Sequence, residues 1–71
     1  MYFQRLRDLR EDNDKKQSEI AEMLGIKLTV YGRYERGERE MPIHHFIALA
    51  RYYNVSLDYL AGLIDTPKKL Y

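Results

Sequence analysis

Residues 17–38 read QSEIAEMLGIKLTVYGRYERGE, and their spacing decides the fold. Ile20, Ala21 and Leu24 recur at the three- and four-residue intervals of one helix face. Gly25 follows where a helix ends in a left-handed residue. A second short helix is predicted over 28–36, stopped by Gly37. Ala21 puts a small side chain where the two helices would cross. Gly32 stands inside the second helix, where it costs about 0.5–1 kcal/mol relative to alanine.

Outward from this pair the same periodicity continues, and the period-two alternation of strands is absent. Residues 2–12 place Phe3, Leu6 and Leu9 on one stripe, broken by Asn13-Asp14. Pro42 suits the first turn of a fourth helix, with Ile43, Phe46, Ile47, Ala50 and Tyr53 as its apolar stripe. Asn54 ends it. Ser56 is a good N-cap for a fifth helix that turns Leu57, Leu60 and Ala61 inward. The expectation is an all-α domain of five short helices over residues 1–64, with residues 65–71, DTPKKLY, as a flexible tail.

Seventy-one residues suffice for one small domain, and 45% hydrophobic with 32% charged residues is ordinary for a folded, soluble one. So small a core makes oligomerisation a plausible source of added stability. There is no cysteine, hence no disulfide and no cysteine metal site. Charges begin within five residues of Met1, unlike a secretory signal, and no apolar run nears the roughly 18 residues of a membrane span. The cytoplasm is the default compartment. A net charge of +1 does not announce a nucleic-acid partner, although Lys27, Arg33, Arg36 and Arg39 make a local excess over Glu35 and Glu38.

Two short helices joined by a glycine turn form the helix-turn-helix arrangement. Leu9-Arg10, Gln17, Glu19, Ala21-Glu22, Leu24-Gly25, Arg33, Glu35 and Gly37, together with VSLDYLAGL at 55–63, resemble the Xre/Cro family of phage-repressor-like DNA-binding proteins. The likeness covers roughly residues 3–64 and is specific as a set, although no single residue of it is. It implies a five-helix bundle of the lambda-repressor-like type that binds a double-stranded operator as a homodimer, its third helix in the major groove. No cofactor and no membrane enter that picture. The resemblance also implies that Arg10 and Glu35 pair across helices one and three as a structural ion pair.

Helical geometry can be set against that role. Residues 28, 29, 32, 33 and 36 share one face and 31, 34 and 35 another. Tyr31 and Tyr34 suit a core edge that buries the ring and leaves the hydroxyl wet. The first face is left for DNA bases: Leu28 against a thymine methyl, Thr29 to a base edge or phosphate, and Arg33 bidentate to guanine. Gly32, lacking a side chain, would let the backbone come close. Gln17 and Ser18 at the start of helix two, with Arg36 and Arg39 beyond helix three, are expected at phosphates, which position without reading sequence.

The chain departs from the family at two helix starts. Lys16 and Lys27 stand where the family usually has threonine or serine N-caps, and Lys15 where leucine is common. A lost cap costs about 1 kcal/mol, and a cation there opposes the helix dipole. Either these lysines add charge at phosphate-attracting helix starts, or they are drift on a tolerant surface.

Other function classes have less to stand on. His44 and His45 are adjacent on one helix, pointing about 100° apart, with no third metal ligand beside them. Ser18 and Ser56 lack a base, and Asp12 and Asp14 lie on a solvated helix end, so nothing supports an enzyme. An antitoxin or protein-interaction module on the same fold is the stronger rival. Seven tyrosines, among them Tyr52, Tyr53 and Tyr59, suit an interface.

Overall fold

The computed structural model describes residues 3–66, and the tail expected from residue 65 lies outside the described residues from 67 onward. Five helices follow one another: α1 (Gln4–Asp12), α2 (Gln17–Leu24), α3 (Leu28–Glu35), α4 (Ile43–Tyr53) and α5 (Leu57–Leu60). They share one way of ending. A left-handed residue follows each helix: Asp14, Gly25, Gly37, Asn54 and Gly62, with φ between 54° and 83°. In each case its N–H reaches back three residues, and the next N–H reaches back five. These paired bonds satisfy carbonyls that a helix end leaves open and turn the chain sharply enough for short helices to pack. Gly25 takes this geometry without the strain a Cβ would bring.

The core draws one fully buried large side chain from every helix: Leu6, Ile20, Tyr31, Leu49 and Leu60. Ala21, Tyr34, Phe46, Ala50 and Val55 complete it. Phe3 packs on Phe46 with ring centroids 5.0 Å apart. Arg5 ties α1 to α5 and the segment after it. Its guanidinium donates to the carbonyls of Tyr59 (3.1 Å) and Ile64 (3.0 Å) and lies over the Tyr59 ring.

Three expected core positions are at the surface: Ile43 is 66% exposed, and Ile47 and Leu57 each more than a third. Leu49 and Val55 take their place inside. On α4 the stripe 43-46-47-50 and the stripe 46-49-50-53 both have helical spacing. Only the position of the neighbouring helices chooses between them. α3 ends at Glu35, one residue earlier than expected, with Arg36 in the turn. The tyrosine hydroxyls also differ: Tyr31 is wholly buried, hydroxyl included.

Candidate nucleic-acid interface

The helix-turn-helix is built on Ala21, which is buried where α2 meets α3. Its carbonyl accepts the N–H of Ile26, closing the turn. Both helices begin without a side-chain cap, since Lys16 and Lys27 hold the N-cap positions in extended conformation. Lysine has no acceptor to offer the first turn. At α2 only the return half of a capping box forms, with the Lys16 N–H donating to Glu19 at 3.1 Å. α3 has no acid in its first turn and lacks even that.

The inner side of α3 is fixed by charge. Arg10 Nε donates to Glu35 Oε2 at 2.6 Å and Nη2 to Oε1 at 3.1 Å, while Nη1 holds the Lys15 carbonyl at 2.9 Å. The Glu35 side chain is only 3% exposed and that of Arg10 14%. Burial alone would push the Glu35 carboxyl up, but donation from Arg10 and Gln17 outweighs it and holds the group below its ordinary value. The same hydrogen bond pushes Arg10 up. Tyr31 lies beside Glu35 with its hydroxyl lacking a well-formed hydrogen bond. Burial, then the neighbouring carboxylate, raises its pKa far beyond the usual tyrosine range.

The outer side of α3 is open. Leu28 is 50% exposed, and Thr29 and Arg33 are exposed beside it. Gln17, Leu28, Thr29, Gly32, Arg33 and Arg36 line a groove of about 300 Å³. A second groove of similar volume, lined by Arg7, Arg10, Gln17, Glu35 and Arg36, adjoins it through Gln17 and Arg36. Lys16, Ser18, Lys27 and Arg39 are exposed.

Three placements differ from simple outward display. Gly32 is buried, because the Arg36 guanidinium lies across it. A Cβ added there would meet Arg36 Nη1 at 3.1 Å and Gln17 Oε1 at 3.6 Å. Gln17 is half-buried, with its amide donating to Glu35 Oε1 at 3.1 Å. One of its N–H groups is therefore committed inward, and the carboxylate, which can only accept, fixes which way the amide faces. Arg36 pairs with Glu38, Nε to Oε2 at 2.7 Å. The Glu35–Gln17 bond carries no signal in helical periodicity, because it joins two helices across a turn.

The histidines lie elsewhere. The rings of His44 and His45 have centroids 4.1 Å apart and planes inclined by 47°, and burial and then His44 lower the His45 pKa. Among the described residues no group of three or more metal-ligating side chains converges, and no helix is long and apolar enough to cross a membrane.

Residues 6–60 match the family described as Helix-turn-helix. This chain belongs to the helix-turn-helix family. It is 43% identical over 67 residues to the HTH-type transcriptional regulator YobD of Bacillus subtilis, covering 94% of this chain and 60% of YobD. The cryptic phage CTXphi transcriptional repressor RstR of Vibrio cholerae is 30% identical over 66 residues, 93% of this chain and 60% of RstR. Among solved structures, a transcriptional regulator from Listeria innocua superposes with a TM-score of 0.81 at 27% identity, over all of this chain and 66% of that one. The chain thus spans about 60% of the length of those two sequence relatives. Both relatives are named as transcriptional regulators.

Proposed function

We propose that this helix-turn-helix domain is a cytoplasmic, sequence-specific transcriptional regulator. It reads the major groove with α3 and represses by occupying a two-fold operator as a homodimer. The observation that carries the reading is the two-sidedness of α3. Its inner edge is locked by the buried Arg10–Glu35 pair, while Leu28, Thr29 and Arg33 stand free on the outer edge. In this role Arg33 reads guanine through two donors, Leu28 packs on a thymine methyl, and Thr29 meets a base edge. Gly32 offers close approach once Arg36 swings off it. Lys16, Ser18, Lys27, Arg36 and Arg39, with the remaining N–H of Gln17, take phosphates around the groove. Repression follows the naming of RstR. Dimerisation has a candidate face in the exposed Ile43, Ile47, Leu57 and Leu63. In a dimer of this kind the half-sites lie about one DNA turn, roughly 34 Å, apart.

Binding-site selection from random duplexes at two salt concentrations tests the reading. A palindromic motif with salt-sensitive affinity supports it. No enriched motif, or weak binding indifferent to salt, favours an antitoxin or protein-interaction module instead. Within the selected site, Arg33→Ala should relax preference at one guanine by about 1–3 kcal/mol. A uniform loss across sequences would reassign Arg33 to a phosphate.

A further inference from the structure

Glu38 stands where an acid is unfavourable. It lies just past the C-terminal end of α3, which carries partial negative charge. The motif that closes each helix ordinarily brings together two apolar side chains five residues apart. Ala21 and Ile26 hold those places after α2, and Ala50 and Val55 after α4. After α3 they are Arg33 and Glu38, with the Glu38 N–H fixed on the Arg33 carbonyl at 2.9 Å. Here the two places hold opposite charges, both exposed.

The carboxylate is engaged there. Arg36 donates to it from Nε at 2.7 Å and Nη2 at 3.4 Å. Those bonds, joined by the fields of Arg36 and Arg33, hold Glu38 below the ordinary carboxylate range. The guanidinium so held is the one lying across Gly32. Both partners are about half exposed, so the pair is weak and water competes for it. It contributes little to the fold, yet it decides where Arg36 sits.

We propose that Glu38 is an intramolecular competitor of DNA phosphate, a positioning residue that holds Arg36 folded over the floor of the α3 groove until a duplex displaces it. The inference rests on α3 being the DNA-facing helix. When a phosphate takes Arg36, Glu38 is left exposed and recovers a counterion from solution. Binding then releases about one cation fewer than the phosphate contacts alone would give. Glu38 thereby lowers affinity for any duplex and flattens its salt dependence.

The test compares wild type and Glu38→Gln on a selected duplex and on a random one, across a salt series. Glutamine keeps the size and removes the charge. Affinity should rise roughly two- to fivefold at low salt on both duplexes, and the slope of log K against log salt should steepen by up to about 0.9. The melting temperature should not fall, which separates this role from a structural one. In an Arg36→Gln background the effect of Glu38→Gln should fall to less than half, because the two act through one contact. Without DNA, the chemical shift of the Arg36 Nε–H should change in Glu38→Gln as the carboxylate contact is lost. A wild type that binds DNA, with Glu38→Gln showing the same affinity and slope or with the double variant fully additive, overturns the proposal. A wild type that binds no duplex, selected or random, overturns the DNA reading itself and this inference with it.

Discussion

Replacing Arg10 with methionine removes one side chain and leaves a carboxylate stranded. Methionine retains the apolar stem, so the packing of α1 changes little. What is lost is two hydrogen bonds to Glu35 and one to the Lys15 carbonyl. Glu35, 3% exposed in the wild type, keeps only the Gln17 amide, 3.1 Å away, to compensate its charge. Breaking such a pair from one side costs about 3–5 kcal/mol. A domain of this size is stable by only some 0.05–0.15 kcal/mol per residue, so the loss takes a large share of the total. With roughly 4–8 °C per kcal/mol, the melting temperature should fall by 12 °C or more. Urea denaturation followed by circular dichroism measures the change. Its pH dependence tests the cause. In wild type the Glu35 pKa is lowered, so its contribution is present above the unfolded value of about 4.3 and is lost as pH falls through the folded one. In Arg10→Met, burial pushes that pKa up, so the penalty is present at neutral pH and relieved as the carboxyl protonates. Both movements shrink the difference between the proteins on acidification. Arg10→Met combined with Glu35→Met should recover most of the loss, since no uncompensated charge remains. A penalty below about 1 kcal/mol at pH 7, or one unchanged at pH 4.5, would refute the reasoning.

The uncapped helix starts give a second prediction. Lys16→Thr and Lys27→Ser should each raise stability by about 1 kcal/mol, and each should flatten the salt slope of DNA binding by up to about one unit if the lysine meets a phosphate. Stabilisation with unchanged slopes would leave these lysines as drift on a tolerant surface. Gly32→Ala places a Cβ 3.1 Å from Arg36 Nη1, the exposed tip of a flexible side chain that can move aside. Thermal melts should therefore show a gain of about 0.5–1 kcal/mol from helix propensity, while affinity for the selected duplex falls. A stabilised variant with undiminished affinity would show that the backbone does not approach DNA at this position.

Local periodicity carried most of the fold. Helix-period stripes, the glycines at 25 and 37 and the Pro42 and Ser56 starts are short-range signals, and α2 runs over the residues its spacing predicts. Short-range signals fail where several faces of a helix are apolar. α4 carries Ile43, Phe46, Ile47 and Leu49, and nothing local says that Leu49 goes in while Ile43 stays out. The division of α3 into an inner and an outer edge was also legible, because a helix of two turns has only two sides to offer.

The sequence by itself determined where helices begin and end to within a residue or two, which residues share a face, and that two helix starts carry lysine in place of a cap. These follow from dihedral preferences and spacing within a turn or two of chain. Only the tertiary structure decided what each polar side chain does. Gln17 is drawn inward because Glu35, eighteen residues away, is buried within its reach. The Tyr31 hydroxyl stays dry because folding buries it beside Glu35. Gly32 is covered, and Arg36 held, because the turn after α3 swings Glu38 back alongside them. The Gln17–Glu35 bond joins residues that no helical period relates, and it exists only once the chain has brought α2 and α3 together.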